Sequence, residues 1–533
     1  MLKKGLCLLL SCALCALFAC APAGGAASED PAASTGQDTQ AEPLTMDWYI
    51  NFSWFTATFE GMVAEALTER TGIKINFIAP TGNEWEKLNS MLAAGSLPDL
   101  VTLGHWEPAI TQMIAEKQVH ALNELADEYD PAFWEVADPQ RVAWYTQEDG
   151  NLYAYPNSSY TPKDYEEHPD IGSQQAFLVR KDIYEAIGSP DMTTPEGFTG
   201  AIKAAKEAFP EVNGQPMLPV GLYDFDKDGC YSLEAMLMNL LAVPFEKDGQ
   251  MYDRYTDPEY IRWLKVFRQL AQDGYLEDDM FVDRRIQMAE KVADGRYFCM
   301  IYQHSDIADQ QKYLYAENPG SQYIAVDGPK NEAGDPHTLP GVGINGWTVT
   351  LISKNCEDPA RAIGLMCFMM SEEGQKLLYC GVEGEMYDEV DGTPVVHEEI
   401  LEMLNTDRVE YNRLYAADNT YWMLQDLAMQ LDWQPPPEPP LDQPREWTYP
   451  YTVYTSQYDA VFPIGSAAAG AHERIREAWG EVLPRLLLAD SDEAFDEIFA
   501  AYLQEREALG FAMVQQEATH QMELAKEKLN ILN

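Results

Sequence analysis

Between Leu44 and Leu103 the hydrophobic period switches back and forth between two residues and 3.6, and that switching constrains the fold more than any other feature of the chain. Leu44 to Ile50 reads as a strand. Phe59, Met62, Val63, Ala66 and Leu67 then recur at i, i+3, i+4, i+7 and i+8, one face of a helix, and Gly72 supplies its stop. Ile73, Ile75 and Phe77 alternate with polar residues as a second strand. Trp85, Leu88, Met91 and Leu92 mark a second helix ended by Gly95, and Pro98 precedes a third strand at Leu100 to Leu103. A βαβαβ run of this kind predicts an open α/β sheet with right-handed crossovers. Ligands of such sheets lie beyond the carboxyl ends of the strands. Here those positions are Asn51 to Trp54, Pro80 to Asn83 and Gly104 to Trp106.

The pattern continues downstream. Strands are expected at Ala176 to Arg180, Arg296 to Tyr302 and Gly346 to Ser353, and helices at Pro258 to Leu270 and from an Asp358-Pro359 cap through Met370. Gln434 to Pro444 holds six prolines and reads as an extended excursion. Asp492 to Leu532 is helical by periodicity. The 490 residues from Leu44 exceed what one hydrophobic core usually holds, so two lobes are expected.

The amino terminus reads as a targeting segment. Lys3 and Lys4 precede a run of about fourteen mostly apolar residues, too short to span a bilayer. It ends Leu17-Phe18-Ala19-Cys20, which resembles a bacterial lipobox. The alternative is an ordinary secretory signal cleaved elsewhere. On the lipobox reading, residues 1–19 are a lipoprotein signal peptide and Cys20 carries two acyl chains, enough for stable anchoring at the outer face of the cell membrane. Residues 20–43, with the lipidated cysteine, form a flexible Ala-, Gly-, Ser- and Pro-rich tether. Acidic residues outnumber basic ones, 87 to 36, for a formal charge of −51, which excludes nucleic acid as a partner. Of nine cysteines, Cys7, Cys12 and Cys15 leave with the signal. Cys230, Cys299, Cys356, Cys367 and Cys380 remain without Cys-x-x-Cys spacing, as buried hydrophobes or with one disulfide among them.

Four stretches in order carry a resemblance. They are Met91-Leu92-Ala93-Ala94-Gly95-Ser96-Leu97-Pro98-Asp99-Leu100-Val101; Asp149-Gly150-Asn151-Leu152-Tyr153-Ala154-Tyr155-Pro156; Leu178-Val179-Arg180-Lys181-Asp182 with Ala186-Ile187-Gly188 and Pro195; and Ser371-Glu372-Glu373-Gly374-Gln375 with Gly381-Val382-Glu383-Gly384. In these the chain resembles the extracellular solute-binding proteins of carbohydrate ABC importers, family 1, of the long Gram-positive oligosaccharide type. The resemblance implies a periplasmic-binding-protein-like α/β fold of the class II, Venus-flytrap type. Two lobes are joined by a hinge, with residues 44–156 plus 345–405 in the first lobe and 157–344 plus 406–533 in the second. The chain is expected to cross near Pro156, near Asn345 and after about Leu404. The implied protein is a monomeric lipoprotein, not an enzyme, that captures an oligosaccharide between its lobes and delivers it to the ABC permease. The alternatives are a peptide-binding or adhesion lipoprotein, or a surface glycoside hydrolase, which needs only two carboxylates.

Sugars offer apolar faces fringed by hydroxyls, so a site for them needs flat aromatic rings and planar polar groups. Position selects Trp48, Asn51, Trp54, Trp106, Tyr155, Asn157, Gln303, Asn345, Trp347 and Trp422, with Gln174 as a further polar candidate; packing is the competing role for each. Trp422 is placed in the second lobe. Arg180 is read equally as ligand contact and as ion-pair partner. No cofactor is required. Asp224, Asp226 and Asp228 followed by Gly229 have the spacing of a calcium loop, extended to Cys230, Ser232 and Glu234. Position 12 is Ala235, and the alternative is an acidic turn. His397-Glu398 lacks the second histidine of a zinc pair, and Gly341 to Gly346 precedes a strand, unlike a dinucleotide fingerprint.

Overall fold

Two large sheets, of five and four strands, centre the molecule, as the length and alternation require. The computed structural model describes residues 43–417, 420–433, 439–463 and 465–530. The expected signal peptide, Cys20 and the tether up to Glu42 lie outside the described residues. Numbered in chain order, the strands of the two sheets are β1 (Leu44–Ile50), β2 (Ile73–Ile78), β3 (Leu100–Gly104), β4 (Tyr155–Pro156), β5 (Gln175–Arg180), β6 (Leu218–Gly221), β7 (Tyr297–Gln303), β8 (Tyr323–Ala325) and β9 (Thr348–Ile352).

The first sheet has the order β2-β1-β3-β9-β4. β1 runs parallel to β2 and β3, whereas β9 returns antiparallel between β3 and β4. The helices Gly61–Thr71 and Glu84–Ala94 are the expected crossovers, and Gly72 and Gly95 end them with φ of 69° and 60°. The second sheet has the order β8-β5-β7-β6, with β7 antiparallel to β5 and parallel to β6. Both sheets are covered on both faces, so neighbouring residues of one strand enter different cores. Met46, Trp48 and Ile50 pack to one side and Tyr49 to the other. Phe177 and Val179 oppose Ala176 and Leu178 in the same way.

The carboxyl ends of both sheets face the connecting passages. The first passage leaves β4 at Pro156 and enters β5 at its amino end, and the second re-enters β9 from Asn345. The third passage differs from expectation. Tyr411 and Tyr421 to Leu424 pack in the first lobe's core, so the chain stays there well past Leu404 and Trp422 belongs to the first lobe. The cause is a polar chain through that sheet. The Trp48 indole N–H donates to Thr102 Oγ1 (2.8 Å), the Thr102 and Thr350 hydroxyls bond at 2.7 Å, and Thr350 Oγ1 donates to the carbonyl of Met423 (3.2 Å). Arg141 ties the passages together: its buried guanidinium donates to Asp426 at 2.5 Å and to the Ser159 carbonyl at 2.8 Å. Breaking such a buried pair from one side costs about 3–5 kcal/mol.

Asp442 to Pro444 form the first turn of the helix Asp442–Thr448 rather than extended chain. Proline is tolerated in a first turn because its missing N–H has no intrahelical partner there. Residues 434–438 of the proline-rich stretch lie outside the described residues. Cys230, Cys299, Cys356, Cys367 and Cys380 are all buried thiols with no disulfide among them.

Candidate functional site

An aromatic platform crowns the carboxyl end of the first sheet. Trp54, just beyond β1, is 54 % exposed. It stacks on Trp347 with centroids 5.8 Å apart and planes 11° from parallel. Phe52 and Trp422 lie beneath, at 5.4 and 4.6 Å from Trp347, and Phe55 packs edge-on to Trp422 at 5.9 Å. The upper ring thus keeps an open face while the lower rings hold it. Trp106, beyond β3, is 59 % exposed. Its indole folds back against Gly104, where a Cβ would stand 2.6 Å from the ring, so only glycine admits this pose.

Beside the rings lies a carboxylate network. Glu107 accepts the Gly104 N–H (2.8 Å) and the Asn51 amide (2.7 Å), and Asn51 in turn accepts the Tyr49 hydroxyl (2.8 Å). Burial pushes the Glu107 carboxyl up to about 7, against those hydrogen bonds and with the charge of Glu84 adding to the rise. Glu84 accepts the Ser53 N–H at 2.7 Å. Burial holds His105 down at about 4, so its imidazole is neutral.

The facing end of the second sheet is built from Tyr223, Tyr231, Tyr302, Gln303 and Asp306. Tyr223 stacks on Tyr302 at 3.9 Å, and Tyr231 packs edge-on to Tyr223 at 5.5 Å. The Tyr223 hydroxyl reaches Asp306 (2.7 Å) and Gln303 (3.0 Å), and Asp306 pairs with Arg285 at 3.3 Å. The Gln303 amide lies 3.4 Å from Gln174.

Sorted by position, Trp54, Trp106, Trp347 and Gln303 reach the open ends of the sheets. The others do not, and each has a packing reason. Trp48 is fully buried because its side chain points into the sheet's covered face. Tyr155 is buried, its hydroxyl accepting the Asp138 N–H. Asn157 is buried as a splint: its amide donates to the Trp422 carbonyl and its oxygen accepts the Thr348 N–H, both at 2.8 Å. Asn51 is spent on Glu107 and Tyr49. Asn345 accepts the Trp144 indole N–H (2.6 Å) and donates to Asp459 (2.7 Å). Trp422 is 4 % exposed and supports the platform from below. Arg180 is buried on Asp182 and the Gly295 carbonyl, which decides for the ion-pair role. The sequence reading passed over Glu84, Glu107, Tyr223, Tyr231 and Asp306. Glu107 follows Trp106 directly and could have been found by its place after β3; the others carry no local signal.

The acidic loop is organised by its own bonds. Asp226 accepts the Asp228 and Gly229 N–H groups, and Asp228 pairs with Lys227 (2.8 Å) and Arg476 (2.9 Å). Two of the expected ligand residues have their side chains engaged elsewhere. The Ser232 hydroxyl is buried and donates to the Ile301 carbonyl, and the Cys230 thiol donates to the Tyr223 carbonyl. No three His, Cys, Asp or Glu side chains converge on one point among the described residues. The remaining donor chemistry fits a hard cation. Asp224, Asp226, Asp228 and Glu234 supply carboxylate oxygens by type; the half-buried Glu234 carboxyl accepts the Cys230 N–H and is pushed up to about 7 by desolvation, and Gly229 (φ 130°) leaves the space that it fills.

Comparison with known proteins gives a consistent picture. The family described as bacterial extracellular solute-binding protein matches residues 62–381, more than half of the chain. Lipoprotein LipO of Bacillus subtilis is 22 % identical over 341 residues, 62 % of this chain and 64 % of its own length. The polygalacturonan/rhamnogalacturonan-binding protein YtcQ of the same organism is 23 % identical over 375 residues, 67 % of this chain and 69 % of its own. The chain thus spans about two thirds of each of these relatives. Among solved structures, an EF-hand mutant of the ABC-transporter substrate-binding protein FusA of S. pneumoniae, in complex with fructo-nystose, aligns with a TM-score of 0.69 at 15 % identity. The alignment covers 91 % of this chain and 99 % of that one, and shows a shared two-lobed fold. Among the described residues no helix is long and apolar enough to cross a membrane.

Proposed function

The chain belongs to the bacterial extracellular solute-binding proteins, and from that premise we propose that it captures an oligosaccharide between its two lobes and delivers it to an ABC permease. One observation carries the proposal: the Trp54–Trp347 stack, a flat apolar surface held open at the carboxyl end of the first sheet, for which Tyr231, Tyr223 and Gln303 at the end of the second sheet would supply the other wall. Pyranose and furanose rings bury their C–H faces on such surfaces, and the surrounding amides and hydroxyls suit the sugar fringe. YtcQ and the FusA complex are both described as binding saccharides, which supports the reading. The lobes would close by a hinge motion about the three passages, because only the closed form brings both walls onto the ligand.

Glu84 and Glu107 flank the platform, and on the second wall Asp306 is paired with Arg285, so no guanidinium fork without a carboxylate partner is seen among these groups. That arrangement favours an uncharged saccharide over a polyuronate, which is recognised by unpaired arginine forks. Asp224, Asp226, Asp228 and Glu234 would hold a structural calcium ion, which would neutralise the loop and pin it to the following helix; the FusA structure described as an EF-hand mutant supports such a site in this fold. The lipid anchor at Cys20, the monomeric state and the outer-face location belong to the same proposal, supported by a relative named as a lipoprotein.

Titration calorimetry with neutral oligosaccharides (kestose, maltotriose, cellotriose, mannotriose) and with trigalacturonate tests the core claim. Saturable 1:1 binding of a neutral sugar without release of reducing ends is expected. Reducing-end release would turn the reading to a glycosidase, and silence across the panel would remove it.

A further inference from the structure

At the cleft end of the second sheet a hydrogen-bond chain has its direction dictated from the buried end. Arg254 is half-buried, with its guanidinium 4.1 Å over the Phe245 ring, its Nε enclosed, and no ion pair among the described residues. Its NH2 donates to Asn239 Oδ1 at 2.8 Å. A guanidinium has donors only, so the atom of Asn239 that faces it has to be the oxygen. The Asn239 amide nitrogen therefore turns to Gln175 Oε1, at 2.8 Å. That in turn aims Gln175 Nε2 at the Tyr231 hydroxyl, at 2.9 Å. Amide orientations are ordinarily ambiguous, but here each one follows from the one before. Asn239 is 1 % and Gln175 4 % exposed, so water does not scramble the order.

The consequence falls on Tyr231. Its oxygen is used as an acceptor by Gln175, so its own hydrogen points away from the chain. No acceptor for that hydrogen is found among the described residues, and the ring is 44 % exposed at the cleft wall. Gln175 pairs with Gln303 in the β5–β7 register, which places the phenol beside the other polar groups of that wall.

We infer that Tyr231 is a specificity-determining residue of the cleft, a phenol held as an obligate hydrogen-bond donor that selects ligands presenting an acceptor oxygen (hydroxyl, ring oxygen or carbonyl) at the second-lobe wall. The inference rests on the capture reading for the ligand, and on the relay alone for the polarity. It also accounts for the half-buried Arg254 meeting an amide rather than a carboxylate at position 239. A carboxylate at position 239 would satisfy Arg254 better, but it would draw the Gln175 amide toward itself, turn Gln175 Oε1 to the phenol, and redirect the Tyr231 hydrogen inward.

Three variants decide the matter by calorimetry with the four neutral trisaccharides and by thermal melting. Tyr231→Phe is expected to weaken binding by about tenfold, the loss of one hydrogen bond, with the melting temperature unchanged. Asn239→Asp is expected to weaken binding to the same degree while raising Tm by about 2 °C, since the half-buried cation gains a partner. The double variant should bind no worse than either single one. A packing role for Asn239 predicts loss of both quantities together. Unchanged affinity in Tyr231→Phe, or a lower Tm in Asn239→Asp, overturns the inference. If none of the trisaccharides binds the wild type, the capture reading and the ligand role of Tyr231 fall together, while the Tm of Asn239→Asp still decides the relay.

Discussion

Trp54 and Trp347 stack at 5.8 Å although they lie almost 300 residues apart, and only Trp54 presents a broad open face. The pair divides labour with Trp422, which is buried beneath them. Trp54→Ala is therefore expected to abolish measurable sugar binding at a smaller stability cost than Trp422→Ala, because about half of the Trp54 side chain is already exposed. Trp422→Ala should instead cost about 3–5 kcal/mol of stability by leaving a cavity in the first lobe's core. Calorimetry and denaturant melts of the two variants separate the roles; equal destabilisation by both would refute the layered platform.

A second prediction concerns pH. Asp459 stands beside the hinge as an exposed residue whose carboxylate accepts the Asn345 amide at 2.7 Å, and desolvation by the surrounding chain pushes that carboxyl from 3.8 up to about 7. A carboxyl raised in the fold favours the folded state when protonated. Its stabilisation is complete below the unfolded value near 4 and is lost as pH rises through about 7. Glu107 and Glu234 shift in the same sense, so the wild type alone does not isolate Asp459. The difference does: Tm of the wild type minus Tm of Asp459→Asn should fall between pH 4 and 7 and level off above. A flat difference would show that Asp459 is ionised in the fold throughout.

What the sequence revealed and what it hid follow from one physical distinction. Periodicity and helix stops are local, and they placed β1, β2, β3 and the helices between them to within two residues. Position after a strand is also local, and it found Trp54 and Trp106. Burial is not local. Trp48 stands in the same strand as the site but on its covered face, and Asn157 has the composition of a sugar contact yet is consumed by Thr348 and Trp422. Chain order alone places Trp422 in the second lobe, because no sequence feature announces the Trp48–Thr102–Thr350–Met423 chain that holds its segment in the first. Tyr231 escaped for the same reason: Arg254, Asn239 and Gln175 come together only in the fold.

Gly346 offers a test of the hinge. Its φ is 68°, and a Cβ there would strike the Asn157 carbonyl oxygen. Trp347, the next residue, donates its N–H to that same oxygen at 3.3 Å. Gly346→Ala should cost at least about 2 kcal/mol, through the left-handed backbone and the collision, and should weaken sugar binding by displacing the Trp347 ring. Denaturant melts measure the first effect and calorimetry the second. A variant with wild-type stability would mean that the passage yields freely at this point.

Calcium supplies the last prediction, because the acidic loop has two ways of balancing its charge. In the structure Asp228 leans on Lys227 and Arg476, while the half-buried Glu234 makes no ion pair among the described residues. A divalent ion bound by Asp224, Asp226, Asp228 and Glu234 would compete with those side-chain cations and would hold Glu234 ionised. Binding only to the folded state stabilises by RT ln(1 + [L]/Kd), so at a hundredfold excess over Kd about 2.7 kcal/mol is expected. Millimolar calcium should thus raise Tm over an EGTA control, by several degrees at pH 7 and less at pH 5, where Glu234 is protonated. Asp226→Asn should remove the calcium increment while leaving the EGTA value nearly unchanged, since an asparagine oxygen still accepts the Asp228 and Gly229 N–H groups. Identical melting with calcium and EGTA would mean that Lys227, Arg284 and Arg476 balance the loop and that no ion is held there.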